Sequence, residues 1–234
     1  MKRSVVTGAA SGVLLALAPA VAHAAVVAEW RMNEKAGATT MVDSATGVGG
    51  ANNGTVTSVK TGVAPLVSGA AYQFGGTTSH VRVPDNAAFD PGSKAITLAA
   101  TVKISGSTMN DDSYDVVRKG LTTTAGGYWK MEIKRSDANA AVGNLRCVFK
   151  VVKSSGSLAT VTFDAPVDVV NGAKHSLKCV KSGSTVKAIV DGQTFTGTAP
   201  TGSISNADSV FVGSKMPGDD VLQGVVDQVT VSIG

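Results

Sequence analysis

Glutamate is scarce in this 234-residue sequence: Glu29, Glu34 and Glu132 are the only three. Glycoside hydrolysis needs two carboxylates facing each other, about 5–5.5 Å apart in retaining enzymes and wider in inverting ones. Glu29 and Glu34 fall on opposite faces of an extended chain, and Glu132 stands alone between Lys130 and Lys134. Histidine is as rare, and neither His80 nor His175 sits in a nucleophile-elbow pattern. Two cysteines on scattered segments lack zinc-finger spacing. No window repeats at the helical period, so a phosphate-cradling glycine loop that opens a helix is excluded too. Aromatic residues make up only 5% of the chain. No basic cluster exceeds Lys134-Arg135, so nothing marks a nucleic-acid footprint.

The longest apolar run is short as well. Val13-Leu14-Leu15-Ala16-Leu17-Ala18 follows Lys2-Arg3 and ends in Ala22-His23-Ala24. That order of positive, apolar and small residues reads as a cleaved secretory leader over residues 1–24, too short to span a membrane. A secreted, extracellular chain starting near Ala25 is expected, folding as one domain over residues 25–234. Without Lys2 and Arg3 the charge is 19 basic against 17 acidic residues, a net +2. Export also changes the reading of Cys147 and Cys179, which an oxidising compartment favours as a disulfide.

What the chain has in quantity is glycine (27 residues) with Thr, Ser and Val between turn signals every 8–12 positions. Ile96–Ile104 alternates with its even positions apolar, and Trp129, Met131 and Ile133 share one face of another strand. Leu145, Cys147, Phe149 and Val151 line a third, and Leu177 and Cys179 a fourth. Lys181-Ser182-Gly183-Ser184 and Asp191-Gly192 are hairpin turns. The pattern predicts an all-β, two-sheet antiparallel sandwich with almost no helix.

Several segments, taken in order, resemble the laminin-G-like domains of the concanavalin A-like lectin/glucanase superfamily. They are Val26–Glu34 with Val42–Gly47, Gly69–Gly76, His80–Asp85 with Phe89-Asp90, Ile96–Val102, Val190–Gly192 and Leu222–Val229. The cysteine-bearing strands around Cys147 and Cys179 are similar to a secreted bacterial branch of that family. The resemblance implies a jelly-roll fold and, as is common in the superfamily, structural calcium. The strand-borne Glu-x-Asp-x-x-Glu of its glucanases is absent.

Site expectations follow from strand parity and loop chemistry. Asp227 shares parity with Val225, Val229, Val231 and Ile233, so its carboxylate is expected on their apolar face. A buried carboxylate needs hydrogen bonds, a cation partner or a metal. With Asp43 it makes a candidate calcium site; backbone N–H donors, or Arg31, are the alternative partners. Asp111, Asp112, Asp219 and Asp220 form two acidic loops that suit a cation or a sugar, although solvated turn carboxylates are common. Tyr128 and Tyr114 are candidate sugar platforms, Tyr128 because it shares a polar face with Lys130 and Glu132. Trp30, Trp129 and Phe74 read as core. The expected function is a secreted, non-catalytic module that binds carbohydrate or another extracellular or cell-envelope component. A structural or self-associating surface protein is the second reading, and a glycan-active hydrolase or lyase the third.

Overall fold

The protein is described from a computed structural model covering residues 24–47, 49–105 and 109–234. The expected leader lies, but for Ala24, outside the described residues. In chain order the strands are β1 (Ala25–Trp30), β2 (Thr40–Met41), β3 (Gly54–Thr57), β4 (Lys60–Val63), β5 (Ala71–Gly75) and β6 (His80–Val83). A 3-10 turn at Ala87–Phe89, capped by Asn86, precedes β7 (Ile96–Ile104), β8 (Ser113–Lys119), β9 (Tyr128–Arg135), β10 (Gly143–Val152) and β11 (Leu158–Asp168). The remaining strands are β12 (Lys174–Ser182), β13 (Thr185–Val190), β14 (Gln193–Thr198), β15 (Val210–Val212) and β16 (Gln223–Ile233).

They form two antiparallel sheets. The first runs β14-β13-β12-β7-β16-β5-β4, with β1 also paired to β16; the second runs β11-β10-β9-β8-β15-β6-β3-β2. Inward side chains of both sheets make one core that includes Trp30, Trp129, Tyr72, Phe74, Phe89 and Phe149. The two indoles satisfy their N–H groups locally, Trp30 on the Asn52 carbonyl and Trp129 on the Phe89 carbonyl. The alternation read from Ile96–Ile104 is borne out, with every even residue buried. Asp191 and Gly192 take φ of 51° and 84° between the paired Val190 and Gln193, the backbone a two-residue hairpin turn demands. Cys147 and Cys179 are bonded, and because β10 and β12 belong to different sheets the disulfide crosses the sandwich.

Two register shifts position the outer faces. In β8 the pairing with β9 slips between Asp115 and Val117, so both Val116 and Val117 enter the core while Asp115 and Arg118 emerge on the same outer side. In β16 the slip lies between Asp227 and Thr230, with Gln228 at φ 52°. This bulge corrects the parity reading of Asp227. Val226 and Val229 face the core, and Asp227 turns outward with Val225, beneath the segment that carries Leu66 and Val67.

Candidate functional site

The outer face of the second sheet carries an unusual density of withdrawn charge. Asp115, Arg118 and Glu132 are buried there, and Lys130 nearly so. Arg118 donates Nε and Nη2 to the Gly120 carbonyl at 2.9 and 2.6 Å and Nη1 to Asp115 Oδ2 at 2.5 Å. Lys130 sits between Asp115, 3.5 Å away, and Glu132, with which it bonds directly. Arg146 on β10 extends the chain of charges from Glu132, at 4.0 Å, to Asp164 on β11, which it grips with two 2.7 Å bonds. Burial pushes the Asp115 carboxyl above its ordinary range, against the pull of Arg118 and Lys130. These ions fix one another; they are not free to take a ligand.

Beside this network the same face opens into a cleft of about 260 Å³. One cross-strand row forms its floor: Arg82 on β6, Phe211 on β15 and Arg118 on β8 are successive partners. The half-buried Phe211 ring thus lies between two arginines, with His80 behind it at 6.0 Å between ring centroids. Arg82 is exposed and, among the described residues, makes no ion pair. Lys215 and Met216 overhang the floor from the loop that joins β15 to β16, and Asp208 and Ser209 close one side. Lys215 is steadied by Asp219 at 2.7 Å and Asp220 at 3.7 Å. The loop leaves β15 at Gly213, where φ is 79° and a Cβ would fall 2.1 Å from the Phe74 ring, so only glycine lets it turn over the site.

The family profile described as the concanavalin A-like lectin/glucanases superfamily, in its laminin G form, matches residues 74–232. The chain belongs to this superfamily. No curated protein matches it by sequence. Among solved structures, this laminin-G-like chain is similar to domain 4 of AbnA, an extracellular arabinanase from Geobacillus stearothermophilus, in complex with arabinotriose. The TM-score is 0.60 at 18% identity, over 90% of this chain and 93% of that one. It is also similar to the binding domain of Paraclostridial Mosquitocidal Protein 1 (TM-score 0.59, 15% identity, 89% and 48% covered). The binding domain of botulinum neurotoxin serotype D aligns equally well (0.59, 12%, 89% and 48%). The chain spans about half the length of these toxin domains. At such identities the likeness shows the fold.

Against this laminin-G-like frame the sequence-predicted residues scatter. Tyr128 does lie on the outer face, but the Arg118 guanidinium stands 5.9 Å above its ring and only 4% of the residue is exposed. It offers no stacking surface. Tyr114 is in the core, its hydroxyl bonded to Asn110 Oδ1 at 2.6 Å. Asp111 accepts the Asp112 N–H, and Asp112 pairs with Arg135. Asp219 and Asp220 border the cleft through Lys215, as braces of a lysine rather than as an open acidic site. Asp43 takes N–H groups of Glu29 and Ala45 on Oδ1 and of Asn52 on Oδ2. Asp227 takes those of Leu66 and Val67 on Oδ2. N–H donors cradle an anion rather than complete an oxygen cage, and the two aspartates serve different segments. Among the described residues no three His, Cys, Asp or Glu side chains gather as a metal site. The residues present do not fit a shared Asp43/Asp227 calcium. Sequence reasoning missed Arg82 and Phe211; the only available signal was that Phe211 interrupts a run of β-branched residues, Val210 and Val212.

Proposed function

We propose that this chain is an extracellular, non-catalytic carbohydrate-binding module that seats a saccharide in the Arg82–Phe211 cleft. The observation that carries this reading is the Phe211 ring between Arg82 and Arg118 on the floor of a concave site. A sugar ring presents an apolar C–H face and a rim of hydroxyls. The phenyl face suits the first, while the exposed Arg82 guanidinium and the Asp208 carboxylate suit the second. Binding sites of this kind are mostly apolar with a few placed polar groups. The arabinotriose held by the arabinanase domain of the same fold supports the ligand class. A non-catalytic role is supported by the carboxylates of this face: Asp115 and Glu132 are neighbours across β8 and β9, yet both are buried and committed to cations. The leader-like N-terminus and the inter-sheet disulfide support an extracellular location.

The test is titration of the mature chain with a panel of neutral and acidic oligosaccharides, arabino-oligosaccharides included, followed by calorimetry. Phe211→Ala and Arg82→Ala each lower the affinity of a ligand found this way by about tenfold or more, the mark of a contact at an interface centre. A ligand whose affinity ignores both substitutions binds elsewhere and refutes the assignment.

A further inference from the structure

The opposite side of the sandwich carries a row of unpaired lysines. On the outer face of the first sheet, Lys60, Gln73, Val225, Lys103 and Lys174 are successive cross-strand partners through β4, β5, β16, β7 and β12. With adjacent strands about 4.8 Å apart, this row spans roughly 19 Å. Lys178 continues it along β12 on the same side, and Lys187 on β13 lies opposite Val180. All five lysines are exposed, and among the described residues none makes an ion pair. Three carboxylates share or border the face, and each is engaged. Glu29 pairs with Arg31, Asp227 is buried under Leu66 and Val67, and Asp191 holds His175 and the Ser176 N–H.

Lys103 and Lys174 stand directly opposite each other, a pairing that costs an antiparallel sheet stability unless something offsets it. Over the middle of the row lies a groove of about 550 Å³ that takes in Gln73, Lys103 and Ser105. The Val63–Leu66 segment forms one wall, and Asp227 ties that segment down. Between the lysines the face is built of small hydroxylated residues, among them Thr97, Thr101, Ser176 and Thr230. Among the described residues no aromatic side chain projects from it.

We propose that this face docks a linear acidic polysaccharide, its repeated negative charges following the lysine row and its hydroxyls meeting Gln73, Ser105 and the threonines. Charge complementarity selects a polyanion. The lack of an aromatic platform disfavours single-stranded nucleic acid, which needs one for base stacking. Lysines are point charges without a fixed fork, so the face reads charge density more than the geometry of one acidic group. This inference stands apart from the Arg82–Phe211 cleft, which lies on the other sheet.

The experiment measures binding of the mature chain to polygalacturonate and to dextran sulfate, with neutral dextran and a single-stranded DNA oligonucleotide as comparisons. Both acidic polysaccharides bind, neutral dextran does not, and binding weakens as salt screens the charges. K103Q/K174Q lowers the affinity about tenfold or more, with a melting temperature no lower than that of the wild type showing that the fold is intact. Phe211→Ala leaves it unchanged, which separates this face from the cleft. Wild-type affinity in K103Q/K174Q, failure of both polyanions to bind at low salt, or DNA bound as tightly as the polysaccharides would each overturn the proposal.

Discussion

Cys147 on β10 and Cys179 on β12 are joined with their Cα atoms 5.5 Å apart, tying the second sheet to the first through the core. The bond closes a loop between positions 32 apart in sequence, and the chain-entropy estimate for such a loop is about 3.5–4 kcal/mol. Replacing both cysteines by alanine is expected to lower unfolding stability by about that amount, plus a small cavity cost. Urea unfolding of the oxidised protein and of the double variant measures the difference. Equal stabilities would show that the sheets hold each other without the bond.

The charge network on the outer face of the second sheet should respond unevenly to substitution. Asp115→Ala leaves the buried Arg118 without its carboxylate partner and is expected to cost about 3–5 kcal/mol. Asp164→Ala removes the partner of a half-exposed Arg146 and should cost under about 1 kcal/mol. Denaturant titration of the two variants side by side checks the contrast, and similar losses would contradict the burial argument.

Asp227 gives a pH dependence of definite sign. Burial holds its carboxyl above the ordinary range despite the N–H bonds from Val67 and Leu66. A carboxyl that titrates higher in the fold than in the unfolded chain keeps its proton longer in the fold. Stability contributed by this group is therefore greatest below the folded value and declines as pH rises from about 4 through it. Asp115 and Asp220 shift the same way, and Asp191 the opposite way. Asp227→Asn cannot titrate, so its stability should change less than wild type across that window. Unfolding measured at several values between about pH 4 and 7 decides it, and parallel profiles would remove Asp227 from the account.

Much of the fold was legible because period-2 alternation is written locally. Ile96–Ile104 and Trp129–Lys134 declare which side chains face the core without reference to any neighbour. The bulges were not legible, since a register shift belongs to a pair of strands. The parity of Asp227 therefore misled, and the shared outward position of Asp115 and Arg118 was hidden. Tyr128 was placed on the correct face, but whether an outward ring stays open depends on what lies across the strand, here Arg118. Arg82 and Phe211 are 129 positions apart and meet only through β6–β15 pairing. The lysine row is assembled in the same way from strands far apart in sequence, so no basic run announces it.

The placement of the cleft and the lysine row on opposite sheets has a mechanical result. A core roughly 10 Å thick separates them, so one short ligand cannot reach both, and occupancy of one face leaves the other accessible. The molecule is built like a rivet, with two heads pointing apart. A chain held at each head would be fastened to the other through a body that the Cys147–Cys179 bond keeps from being pulled open along the line of load.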